Sequence, residues 1–154
     1  MNTATQLPRG IRNNNPGNLR AMVGPQNVGK VVDGFAQFFT SLDGITSYFH
    51  LVHAYYFGHG IKTLPQFIER YAPSNENDTR AYIRAVGIAM NLNPLGWATT
   101  DLELGKPWRA IQLANAMFLQ ENGAPAPSWA GSPYWYTPRE MIDGLQHTAR
   151  WQFV

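Results

Sequence analysis

A chain of 154 residues has the length of one domain and can build a core without help from metals or disulfides. Apolar residues make up 44% of it and aromatics 13%, but only 14% are charged, so the surface must be finished with uncharged polar groups and exposed rings, which suits a polar, uncharged ligand. The net charge of +2 comes from nine Arg and three Lys with no basic run, which argues against a nucleic-acid footprint, and the absence of cysteine excludes a disulfide framework and a Cys-based zinc site.

The opening "MNTATQLPRG" lacks the apolar core of a signal peptide, and no apolar run approaches the roughly 20 residues of a membrane span. The expected product is therefore made in the cytoplasm, and a role at the cell wall or in the periplasm requires delivery by a virion, a holin or a secretion machine. The segment "RGIRNNNPGNLR", residues 9–20, comes next. Asn-Pro-Gly-Asn is strong turn chemistry, with Gly17 expected to supply positive φ. The amides of Asn13, Asn14, Asn15 and Asn18 can brace that turn, or offer themselves to sugar hydroxyls and N-acetyl groups; both readings stand.

"AMVGPQNVGKVVDGFAQFF" mixes Val and Phe with an Asp-Gly pair and reads as one or two short strands of a hairpin. From Ser41 to Phe57 the period changes. Ile45, Tyr48, Phe49, Val52, Tyr55 and Tyr56 recur at three and four, with Ser41 as N-cap and "GHG" as the stop, which predicts a helix. Thr63 to Gln66, Thr100 to Glu103 and Thr137 to Glu140 each have the form of a capping box. The first opens a helix that ends before Pro73, and the second precedes a short turn. The third opens a C-terminal helix with Pro at its first position. "NENDTRAYIRAVGIAM" places Tyr82, Ile83, Val86 and Met90 on one face. "PWRAIQLANAMFLQENG" predicts a helix from Pro107 to Asn122 with Trp108, Ile111, Met117 and Phe118 inside. The Pro/Gly-rich loop 123–138 carries Trp129, Tyr134, Trp135 and Tyr136, which either plug the helices or form a stacking platform. The reading is a single, mainly α domain over 1–154, with about six helices and a small N-terminal β-hairpin region.

"RGIRNNNPGNLR", "DGFAQFFTSLDGITSYFHLVHAYY" and "ERYAPSNENDTRAYIRAV" resemble, in order, the motifs of phage and prophage proteins known as structural protein P5. That group is associated with lysozyme-like, virion-associated lysins. The resemblance covers residues 9 to 95. The same order is similar to bacterial N-acetylglucosaminidases of the lysozyme superfamily. On that comparison Asn14, Asn15, Gly17, Asn18, Leu19 and Arg20 match the first motif, Phe35, Phe38 and Ser41 lie near the second, and Tyr71 and Ala72 match the third. The resemblance implies a lysozyme-like fold that cleaves β-1,4 bonds of peptidoglycan, as a monomer without a cofactor, with other virion proteins as further partners. The glucosaminidases carry a catalytic Glu at a helix end upstream of the Asn-Asn motif. Here no acidic residue precedes Asn13.

Glycoside cleavage needs an acid for the leaving oxygen, and a second carboxylate or the substrate's acetamido group. Helix dipoles and caps account for Glu103, Glu140, Asp43 and Asp101, Glu121 lies at a helix end, and Asp143 falls on a solvated face. Asp33, Glu69, Glu76 and Asp78 remain. Glu76, in "APSNENDT", is the first choice for the acid, with Asp33 or Asp78 as second carboxylate and Tyr71 as a positioning hydroxyl. Each has an ordinary alternative: a helix-start charge for Glu76, a hairpin turn for Asp33, an N-cap for Asp78, a solvated position for Glu69. Arg12 and Arg20 can reach the lactyl or peptide carboxylates of peptidoglycan, or pair with Asp33 and Glu76. The expected cleft lies between the Asn-rich region and the "YAPSNEND" loop.

His50, His53 and His59 are the competing constellation, but they lack the Glu between two His at i and i+4 of zinc hydrolases, so no metal site is expected. Without Cys or Gly-x-Ser-x-Gly, nucleophilic catalysis has no candidate. The alternatives are a non-catalytic virion or tail protein that binds cell wall, and a peptidoglycan endopeptidase, which would want the histidines.

Overall fold

The computed structural model describes residues 6–20, 29–129 and 133–148. In chain order the elements are α1 (Arg9–Arg12), β1 (Gly29–Val32), β2 (Phe35–Phe38), α2 (Ser41–His53), α3 (Leu64–Tyr71), α4 (Thr79–Ala89), α5 (Pro107–Asn122) and α6 (Pro138–Gln146). A π-helical turn, Ala54–Gly58, extends α2, and a 3₁₀ turn, Pro94–Gly96, follows α4. Among the described residues the architecture is mainly α with one small antiparallel hairpin.

The core is a helical one. Along α2 the predicted period places Ile45, Tyr48, Phe49 and Val52 in the interior, where they meet Phe67 and Ile68 of α3, Val86 of α4, Met117 and Phe118 of α5, and Met141 and Leu145 of α6. α2 packs on α6, α3 on α4, and α4 on α5. Among the described residues no helix is long and apolar enough to cross a membrane.

Caps set the helix starts. Thr40, not Ser41, caps α2: its hydroxyl accepts from the Asp43 N–H at 3.1 Å and donates to the Asp43 carboxylate at 2.8 Å. The Thr63–Gln66 and Thr137–Glu140 boxes open α3 and α6. The Thr100–Glu103 segment precedes a short turn as expected, but its capping box does not form. Asp101 instead accepts from the Tyr56 hydroxyl at 2.5 Å and from the Glu103 N–H at 2.7 Å, and Glu103 takes a left-handed φ of 56°. A tertiary partner has overridden a local signal. Trp108 also departs from its expected interior position: it is 58% exposed.

The aromatic loop folds onto the helices. Trp135 and Tyr136 are buried, Trp129 donates from its indole to the Trp135 carbonyl at 2.7 Å, and Trp135 donates to the Gly123 carbonyl at 2.8 Å. This agrees with a plug, with Tyr134 left partly exposed. The stretch of possible strand at 21–28 lies outside the described residues, as do 130–132 of this loop.

Candidate functional site

Asp33 and Gly34 form the two-residue turn of the hairpin, both with positive φ (52° and 80°), as Asp-Gly favours. Val32 faces Phe35 across it. Because antiparallel pairing alternates, the backbone groups of Ala36 and Phe38 then point away from β1. That edge of β2 would be bare without the Asn-rich segment.

The Ala36 N–H donates to the Leu19 carbonyl at 2.8 Å and the Phe38 N–H to the Asn13 carbonyl at 2.9 Å. Side-chain amides complete the edge: Asn15 donates to the Ala36 carbonyl at 2.9 Å, and Asn14 to the Phe38 carbonyl at 3.1 Å. Asn15 also donates to the Leu19 carbonyl and accepts from the Leu19 N–H, both at 2.9 Å, and is fully buried. Asn13 uses its side-chain oxygen to accept from Gln37 at 3.3 Å. The consecutive asparagines thus stand in for a third strand.

Positive φ in this segment belongs to Asn14 (51°) and Asn18 (50°), not to Gly17. Gly17 is required for space: a Cβ there would stand 2.5 Å from the Tyr71 hydroxyl oxygen and 3.0 Å from the Tyr48 ring. The Tyr71 hydroxyl donates to the Gly17 carbonyl.

Past this wall opens a cleft of about 360 Å³, lined by Arg9, Asn18, Arg20, Phe35, Tyr55, Tyr71, Glu76, Asn77 and Glu121 among others, a size suited to small-molecule binding. It lies where the sequence places it, between the Asn-rich segment and the loop before α4. Asn18, Arg20, Tyr71 and Glu76 meet there. Asp33 and Asp78 are not among its lining residues: Asp33 sits in the hairpin turn, and Asp78 caps α4 by accepting from the Ala81 N–H at 3.1 Å. Asn13, Asn14 and Asn15 do not line the cleft either; their amides are spent on β2. Glu69 is exposed on α3.

Glu76 is exposed at the cleft mouth, where Arg20 approaches its carboxylate at 3.4 Å. The cleft's second carboxyl is Glu121, on the last turn of α5. Asn18 donates to one of its oxygens at 2.8 Å and the Tyr82 hydroxyl to the other at 2.9 Å. Burial raises the Glu121 carboxyl above its ordinary range; the bonds from Asn18 and Tyr82 and the charge of Arg9 pull the other way without cancelling it. Burial, and then the Glu121 charge, likewise push the hydroxyls of Tyr71 and Tyr82 well up, so both act as neutral donors. Each Glu121 oxygen accepts one bond and keeps a second position for a proton.

In the sequence Glu121 reads only as a residue at a helix end. Its partners are 103 and 39 residues away, and the only local sign is "QENG", an acidic residue at the negative end of a helix dipole, where charge is disfavoured. The neighbouring Asn122 donates to the Pro16 carbonyl at 2.8 Å, so the end of α5 is fastened to the Asn-rich segment twice. Burial, and then His53, lower the basicity of His50, and no group of three His, Asp or Glu able to hold a metal occurs among the described residues.

Fold and site together define a mainly α protein with a polar cleft whose wall holds a desolvated carboxyl. Over 87 residues the chain is 34% identical to Protein P5 of Pseudoalteromonas phage PM2, a match covering 53% of this chain and 54% of that protein. The similarity is to a bacteriophage protein, and the chain spans about half the length of this curated relative. No family model matches the chain.

Proposed function

We propose that the protein is a phage or prophage lysin that cleaves the glycan strand of bacterial peptidoglycan in this cleft, with Glu121 as the acid. The observation that carries the reading is the Glu121 carboxyl itself: desolvated, fixed at both oxygens and facing a polar cleft. A general acid for glycoside cleavage must hold its proton near neutral pH, and burial is the usual means. Glu121 would give that proton to the leaving glycosidic oxygen. Glu76, the cleft's other acidic residue, or the substrate's own acetamido group would stabilise the positive charge developing on the sugar. Asn18 and Tyr82 orient the acid, and Tyr71 braces the Gly17 turn beside it.

The experiment is digestion of purified sacculi with mass spectrometry of the soluble products, comparing the parent with Glu121→Gln and Glu76→Gln. Glu121→Gln is expected to lose muropeptide release while keeping a cooperative melt, with Glu76→Gln impaired less. Parent-level release by a folded Glu121→Gln would remove the acid from the proposal.

A second reading has its own support. Both Glu121 oxygens are occupied by residues of other elements, so the carboxyl also ties α5 to α4 and the Asn-rich segment, which a non-catalytic wall-binding virion protein would equally need. Binding to sacculi without soluble products from the parent would favour it.

A further inference from the structure

Two arginines of the cleft lie against one ring. The Arg9 guanidinium carbon is 3.5 Å from the centroid of Phe35 and that of Arg20 is 4.7 Å away, so two like charges are held close together at the cleft wall. A guanidinium resting on an aromatic face leaves the N–H donors on its edge available, in the fork geometry that fits a carboxylate. Arg9 uses its Nε toward the Asn18 side-chain oxygen at a long 3.4 Å and has no ion pair among the described residues. Arg20 has only the 3.4 Å pair with Glu76, whose side chains are 64% and 53% exposed, a weak contact that a ligand can exchange. The other carboxyl of the cleft, Glu121, has both oxygens engaged by Asn18 and Tyr82, so it does not pair with either arginine.

Resting on the glycosidase reading above, we propose that Arg9 and Arg20, held against Phe35, form a carboxylate-recognition subsite of the cleft. It selects glycan bearing acidic lactyl or peptide groups over glycan without them. The chemistry recognised is the carboxylate of the lactyl ether, three bonds off the sugar ring, or one on its peptide, since the arginines and the acid line one cleft.

The test compares native sacculi with sacculi whose carboxylates have been capped as amides, measuring both kcat/KM for release of soluble glycan and the fraction of protein that co-sediments. The parent is expected to favour native over capped sacculi by about tenfold, the worth of one good charge-assisted hydrogen bond. Arg9→Gln and Arg20→Gln should each shrink that preference toward one. Arg139→Gln, which removes an exposed charge on α6, should leave it as in the parent and so controls for net charge. Equal treatment of the two substrates by the parent overturns the inference, as does a loss by the cleft variants matched on both substrates or matched by Arg139→Gln. If neither substrate is cleaved, the glycosidase reading fails on its own and co-sedimentation decides the subsite: retention that depends on carboxylates and on Arg9 and Arg20 supports it, and equal or absent retention sinks it.

Discussion

Replacing Asn15 with Ala separates bracing from ligand contact. In the parent the side chain is fully buried and satisfies the Leu19 N–H and the Ala36 carbonyl, while the Leu19 carbonyl has a second donor in the Ala36 N–H. Asn15→Ala therefore orphans two buried backbone groups. At about 1–3 kcal/mol each, tempered by the chance of one water entering the space, the expected loss is about 3–4 kcal/mol. In a chain of this length that lowers the Tm by roughly 6–16 °C. Asn14→Ala, whose amide is only partly buried but whose backbone is left-handed at φ 51°, should cost about 2–3 kcal/mol, about 1 for the hydrogen bond and the rest for an Ala in that conformation. The assay is a thermal melt of both variants beside sacculus co-sedimentation. A fall of under about 2 °C for Asn15→Ala, with binding lost, would refute the bracing account and return this amide to the ligand.

Gly17→Ala should destabilise by about 1–3 kcal/mol through overpacking against Tyr71 and Tyr48, and a paired Tyr71→Phe, which removes the obstructing hydroxyl, should recover part of the Tm. Because burial raises the Glu121 carboxyl, the folded state holds that proton more tightly than the unfolded chain. The group thus opposes folding above its folded-state pKa and ceases to below its unfolded one. Glu121→Gln should accordingly melt at or above the parent at pH 7, with the gap closing as pH falls toward about 4; a gap that widens on acidification would contradict the sign. Asn18→Ala removes a bond that favours the charged carboxyl, so the alkaline limb of the activity profile should move to higher pH. Activity should survive excess EDTA, and loss with EDTA restored by zinc would replace the glycosidase with an endopeptidase.

Much of the fold is written locally. The α2 stripe, the Thr63 and Thr137 capping boxes and the Asp33-Gly34 turn each need only neighbouring residues, and each appears where its chemistry puts it. The failures share a cause. Thr100–Glu103 carries the letters of a capping box, but Tyr56, 45 residues earlier, claims Asp101. Gly17 sits in a turn-like string, yet its need is set by the Tyr71 hydroxyl, 54 residues on. At the site, Asn18, Arg20, Tyr71 and Glu76 were legible because the motifs carrying them line one cleft. Glu121 was not, since its environment exists only after α5 docks on the Asn-rich segment.

That docking sets where the Glu121 carboxyl stands. The end of α5 is pinned to this segment by Asn122 at the Pro16 carbonyl and by Asn18 at Glu121, and Gly10 of α1 leaves the room, since a Cβ there would stand 2.4 Å from the Asn122 side-chain oxygen. The segment that clothes the edge of β2 on one side therefore grips a helix-borne carboxyl on the other. On the proposed reading, the acid at residue 121 then depends on Asn13 to Asn15 keeping that segment rigid enough for Asn18 to hold it.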